Sequence, residues 1–281
     1  MTEGEAWTRK VLGELRDARY RPGAWWRFLA ASFQRSSASA SRRLHQRRQT
    51  LVLATLGVVP WVAFALAGHV ALGSVGFAWW TLVIAMLWWH LGMLESPSGV
   101  PLPGLGSANI ITMLRVAAIP VLPALNAGGL GVLVAGLGLL DVAEGALARR
   151  RAEVTRLGVW LDGAADTVIL GVAAVSAARV DALPWWIAGV VLARVALPWG
   201  VVTWAYFARA AAPRTSRYIS ARIPGAILTV GVVIALIGWP AGATLAACGA
   251  LAAIATFVAS IVRTARESQP GEPAQPSRMF V

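Results

Sequence analysis

The chain has little charge, one cysteine and one lysine. Only 14% of its 281 residues are charged, against 57% hydrophobic, and mean hydropathy is +0.64. A soluble domain of this length needs a far more polar surface, so the composition excludes one and indicates an integral membrane protein. With Cys248 alone, no disulfide can form within the chain, and its apolar surroundings read as packing. His45, His69 and His90 are too scattered for metal-ligand spacing. No secretory signal is expected, because the first 50 residues hold eleven Lys/Arg and no apolar core.

What is abundant is arginine. The net charge of +12 would suit a nucleic acid, but its placement argues against one. Arginines gather in the N-terminal arm and in connections beside apolar runs, as expected for anionic headgroups and membrane topology. Within the arm, Trp25, Trp26, Arg27, Phe28 and Leu29 read as an interfacial amphipathic stretch. The Ser/Arg-rich run from Ser36 to Arg48 reads as mobile rather than folded.

Apolar runs of spanning length, about 20 residues, recur near 51–70, 75–94, 109–126, 129–149, 158–178, 184–207, 220–238 and 242–262. The fold expected is all-α, a polytopic bundle of about eight spans. Connections rich in Arg (149–156 and 209–222) alternate with neutral ones (71–74, 127–128, 239–241, and 179–183 with Arg179 against Asp181), which places both termini in the cytoplasm. The segment 95–108 should share that side, yet it carries Glu95 and no base. Trp79, Trp80, Trp185 and Trp186 fall where an outer aromatic belt is expected, with Trp88 and Trp89 deeper. Gly171, Ala173 and Ala174 read as close helix packing. Four segments follow: a basic arm (1–50), two spans with a linker (51–104), a six-helix core (105–265) and a disordered tail (266–281).

Two of the apolar runs hold four acids: Asp141, Glu144, Asp162 and Asp166. Ionisable groups are expensive in hydrocarbon, so such a cluster marks a function. At about 100° per residue, Asp141, Glu144, Gly145, Ala148 and Arg149 share one helix face. Gly158, Asp162 and Asp166 share another. With a rise of about 1.5 Å per residue across a short connection, Asp141 should level with Asp166 and Glu144 with Asp162. Facing carboxylate layers form an oxygen-lined cup suited to Mg²⁺ or Mn²⁺, with room for two ions. Pairing of these acids with Arg115 or Arg149 merely for packing is not expected, given the burial cost. Arg194, mid-span, must face the bundle interior or reach for the headgroups.

The spacing Asp-x-x-Glu-Gly-x-x-Ala-Arg, eight residues, Gly-x-x-x-Asp-x-x-x-Asp resembles the signature of the CDP-alcohol phosphotransferase family. The one departure is Glu144, where that pattern has Asp; Glu keeps the charge and adds about 1.5 Å of reach. Asn109, Thr112 and Arg115 resemble the opening of the family's first span. The resemblance covers roughly residues 105–265. It implies transfer of a phosphatidyl or other phospho-alcohol group from a CDP-alcohol lipid to an acceptor hydroxyl, with loss of CMP, during phospholipid synthesis. By position, Asp141, Glu144, Asp162 and Asp166 would hold two Mg²⁺ or Mn²⁺ ions, and Asp166 would take the acceptor's proton. Gly145, Ala148, Arg149, Gly158, Asn109 and Thr112 would surround the CDP moiety. Arg217, Arg222 and Arg194 are candidates to meet the acceptor, particularly a phosphorylated one. A homodimer in a bacterial cytoplasmic membrane is also implied. Two other readings remain: a non-catalytic nucleotide- or lipid-binding homologue, and an ion transporter, which would need broken helices at mid-membrane.

Overall fold

The computed structural model describes residues 3–41, 43–96, 98–209 and 222–267. Among them there is no strand apart from one isolated bridge, Glu95 to Pro101. Ten helices follow in order among these residues: α1 (Glu3–Asp17), α2 (Pro22–Ser41), α3 (Leu44–Leu66), α4 (Val70–Trp89), α5 (Ser107–Ala117), α6 (Ala127–Arg150), α7 (Arg156–Arg179), α8 (Trp185–Arg209), α9 (Arg222–Leu236) and α10 (Ala241–Glu267). Seven membrane-length apolar segments occur among the described residues. The eighth expected span corresponds to α9, apolar but shorter. The connection 210–221, with Arg217, and the tail from 268 lie outside the described residues.

Local signals set several boundaries. Pro120 and Pro123 cannot donate to an α-helical ladder, so α5 stops early and gives way to a 3₁₀ turn, Ile119–Ala124. Asn126 caps α6 by accepting from Gly129 N–H at 2.9 Å, and Thr155 caps α7 by accepting from Gly158 N–H at 2.9 Å. α3 and α4 interlock through two Trp–Gly contacts: Trp80 packs over Gly57, and Trp61 over Gly76. The indole of Trp80 donates to Ala54 O at 3.0 Å. α9 and α10 meet almost backbone to backbone at Gly231, Gly242 and Gly249.

The structure corrects two readings of the sequence. Residues 36–41 complete α2, and α3 starts at Leu44, so the Ser36–Arg48 run is helical for most of its length. Tertiary contacts override its polar composition: Ser36 donates to Trp89 O, and Arg47 lies over the Trp88 ring at 5.0 Å. Secondly, α4 starts five residues earlier than the sequence suggested, which moves its tryptophans. Trp80 is buried in the bundle and Trp79 donates to Val116 O at 2.9 Å, so neither forms a belt. Trp88 and Trp89 instead lie at the helix end, against Arg47 and Phe33. Trp185 and Trp186 are exposed at the start of α8, as a belt requires.

The base-poor connector between α4 and α5 borrows its cations from neighbours. Arg43 donates to Leu94 O at 2.7 Å and Gly92 O at 3.1 Å. Arg156 N–H donates to Glu95 O at 3.0 Å, and its guanidinium lies 3.5 Å from the Glu95 carboxylate. The start of α3, this connector and the α6–α7 connection therefore share one end of the bundle. Gln46 and Gln49 of α3 then fix the connector's exit, donating to Leu102 O at 2.6 Å and accepting from Leu105 N–H at 2.7 Å. Glu153 completes the anchor by accepting from both the N–H and the hydroxyl of Ser107, each at 2.7 Å. Burial opposes ionisation of Glu153, but those Ser107 bonds, with the Ala108 N–H and Arg151, hold its carboxyl below the usual glutamate range.

Two outcomes follow. Gly249→Val places a side chain where a Cβ already meets Leu228 N at 2.5 Å, and should cost about 1–3 kcal/mol by overpacking. Thermal unfolding of the purified protein should show that loss, whereas Gly200→Ala, with open space around it, should not. The Glu153 anchor has a depressed folded pKa, so its stabilisation is present above the unfolded value, about 4.3, and disappears as pH falls through the folded value. The gap in melting temperature between wild type and Glu153→Gln should be open at pH 7 and close below about pH 4.

Candidate active site

α5, α6 and α7 converge at the anchored end of the bundle, and a single guanidinium joins their carboxylates. Arg115, on the last turn of α5, is only 2% exposed. Its Nη1 lies 2.9 Å from Asp141, 3.3 Å from Glu144 and 3.1 Å from Asp162. Its Nη2 pairs with Asp166. The acids thus do pair with Arg115. Four carboxylates share one buried cation, and three of them remain about two-fifths exposed at the side chain.

Glu144 is the fourth and is buried. The Thr112 hydroxyl donates to its Oε1, while Arg115 reaches Oε2. The extra methylene at this position spans from α6 to α5. Carboxylate oxygens of Asp141, Glu144 and Asp162 all lie within 4.8 Å of one another. Hard oxygen donors in a group of that size fit Mg²⁺ or Mn²⁺. Asp166 stands at the guanidinium's other nitrogen, beyond that trio.

The small residues line up beside the acids. A Cβ on Gly158 would meet Asn109 Oδ1 at 2.7 Å, so glycine there permits the close approach of α5 and α7. Asn109 is itself buried and donates to Leu105 O at 2.6 Å. Thr112 is completely buried, so Asn109 and Thr112, two of the six residues assigned by sequence to nucleotide contact, lie as supports behind the carboxylates. Arg149 folds back over Gly145, its Nη1 lying 3.2 Å from where a Gly145 Cβ would be. Ala148 is half-buried on the same face. Arg194 faces Gly225 of α9 and acts electrostatically on Asp166 from α8. Arg222 opens α9.

Sequence spacing found the four acids and their helix faces but missed Arg115 as their common partner. Its signal was present: a lone arginine within an apolar segment must find acids. Nothing in the spacing pointed to the Glu153–Ser107 anchor or to Gln46 and Gln49, because these contacts depend on tertiary placement.

Two curated relatives, each described as a probable phosphatidylglycerophosphate synthase, come from Mycobacterium tuberculosis strains CDC 1551 / Oshkosh and ATCC 25618 / H37Rv. Both are 33% identical over 97 residues, which is 31% of this chain and 46% of the relative. The chain thus spans about half the length of the relatives it matches. No solved structure matches it significantly. Residues 105–262 match the family described as CDP-alcohol phosphatidyltransferase. That match covers more than half of the sequence, begins just before the Arg115 helix and encloses all four carboxylates, so the chain belongs to the CDP-alcohol phosphatidyltransferase family.

Proposed function

We infer that the protein is a membrane transferase that moves a phosphatidyl group from a CDP-alcohol such as CDP-diacylglycerol to an acceptor hydroxyl, releasing CMP. The observation that carries this reading is the convergence of Asp141, Glu144, Asp162 and Asp166 on Arg115 beside the small-residue faces of α6 and α7. Four carboxylates against one guanidinium leave a surplus of negative charge, which divalent cations would offset. Asp141, Glu144 and Asp162 would hold Mg²⁺ or Mn²⁺, with Asp166 able to contribute to a second ion. When bound, the ions would polarise the pyrophosphate and offset the charge on departing CMP.

The chain's own groups supply the rest. Gly145 and Ala148 keep bulk off the α6 face that the nucleotide would approach, Gly158 lets Asn109 close the wall behind it, and Arg149 offers a bidentate donor for its phosphates. Asn109 and Thr112 support that wall from α5. Asp166 accepts the proton of the acceptor hydroxyl as its oxygen bonds to the lipid-linked phosphorus, while the bond from that phosphorus to the CMP phosphate oxygen breaks. Arg194, Arg217 and Arg222 would receive the acceptor. The name of the mycobacterial relatives favours a glycerol phosphate acceptor, and a basic vestibule suits that anion. The arginine-rich end would face the cytoplasm of a bacterial inner membrane, with both termini on that side. A homodimer is compatible with this scheme.

CMP release from CDP-diacylglycerol in the presence of Mg²⁺ or Mn²⁺, across a panel of acceptor alcohols, tests the reading. Acceptor-dependent release should fall by roughly 10²–10⁴ in Asp166→Asn if that carboxylate is the base. Glu144→Asp should retain or raise the rate. If wild type and Glu144→Asp are both inert, yet still bind metal and CDP-lipid, a non-catalytic homologue is favoured instead. The metal assignment has its own readout. Arg115→Met removes the shared cation and should lower the melting temperature. Added Mn²⁺ should recover more of that loss than it gains for wild type, and an equal response in the two proteins would count against the carboxylate trio as ligands.

A further inference from the structure

The N-terminal hairpin of α1 and α2 lies outside the family match and outside the catalytic cup. Its two helices pack through Val11, Leu12, Leu15 and Ala24. α2 then runs along the anchored end of the bundle. Near its start, Trp25 lies 5.2 Å from the Phe207 ring at the end of α8. Further on, Phe33 lies 5.7 Å from Trp89, the last residue of α4. The Tyr20 hydroxyl also donates to Phe207 O at 3.0 Å. An element tied to the ends of two spanning helices, and followed at Leu44 by a third, is held at the level of the headgroups.

Its free surface has two parts. Trp26, Leu29 and Phe33 are 76%, 42% and 57% exposed, and their spacing of three and four residues confines them to about 60° of the helix. Beside this stripe, the α1–α2 turn forms a half-open cavity of about 460 Å³ lined by Arg19, Arg21 and Arg27, with Asp17 as its one acidic wall. Arg19 and Tyr20 both have left-handed backbone, φ 52° and 55°, and so turn Arg19 and Arg21 to the cavity while Tyr20 reaches Phe207. A soluble anion would use the arginines and leave the apolar stripe in water. A phospholipid uses both: its phosphodiester meets the guanidinium groups, and the stripe enters the acyl boundary.

We propose that the α1–α2 hairpin is an anionic-phospholipid site, with the headgroup phosphate held by Arg19, Arg21 and Arg27 and with Trp26, Leu29 and Phe33 seated in the bilayer interface. The site stands independently of the transferase reading. The full chain, purified in zwitterionic detergent, is titrated with short-chain phosphatidylglycerol or phosphatidylcholine, and retained lipid is counted by native mass spectrometry. Phosphatidylglycerol should be retained preferentially, and R19Q/R21Q/R27Q, which removes three cations from an anionic surface, should weaken that retention at least about tenfold. Asp17→Asn should strengthen it. Equal retention of the two lipids, or equal retention by wild type and the triple variant, would overturn the site. Displacement of the lipid by millimolar inorganic phosphate would show a simple anion pocket and overturn it equally. Depth is read separately with a fluorophore at Trp26→Cys in a Cys248→Ala background, in bilayers. Quenching by headgroup-level nitroxide lipid supports the proposal; quenching by aqueous iodide alone sinks it.

Discussion

Everything at the anchored end of this bundle is organised by one guanidinium inside a ring of carboxylates. Burying four acids without a partner would drive their helices apart, and burying one arginine without acids would be equally unfavourable. Arg115 solves both problems at once, and in doing so ties α5 to α6 and α7. It cannot neutralise four carboxylates alone. The residual negative charge stays in the cup, whose shape this covalently attached cation holds. Thr112 adds direction by taking one oxygen of Glu144, which leaves the other to the guanidinium.

That ring can hold its shape only if α5 enters at the right depth, and α5 is the shortest of the helices around it. Prolines 120 and 123 end it after eleven residues. Its other end is secured from outside: Glu153 grips Ser107, while Gln46 and Gln49 grip the connector just before it. The two helices preceding the family core are therefore structural neighbours of the carboxylate end. Their own cohesion comes from a different device, tryptophan rings laid over glycines, which needs no polar group in the lipid.

Much of this was legible in the sequence because the bilayer simplifies the code. Apolar runs of spanning length announce helices, and the charges among them stand out. The acid spacing therefore identified the two faces that meet, and the family resemblance held over nearly the same residues as the match at 105–262. Helix registers were less legible. A run such as 70–94 is apolar throughout, so periodicity could not say whether α4 started at Val70 or at Val75, and five residues of error turned buried Trp80 into an apparent belt residue. The polar run from Ser36 to Arg48 failed for the opposite reason. Its composition argued for disorder, but Trp89, Trp88 and the carbonyls of the connector supply partners that no local pattern reveals.

The hydrogen bonds from α3 to the connector engage main-chain atoms of Leu102 and Leu105, not their side chains. A grip on backbone is indifferent to what the gripped residues are. The side chains there are constrained separately, since Leu102 and Leu105 are buried and a Cβ at Gly104 would meet Gln49 Oε1 at 2.8 Å. Insertions or deletions there would shift the register of every group downstream. The length of this connector is thus enforced by Gln46 and Gln49, which lie more than fifty positions away from the helix they position.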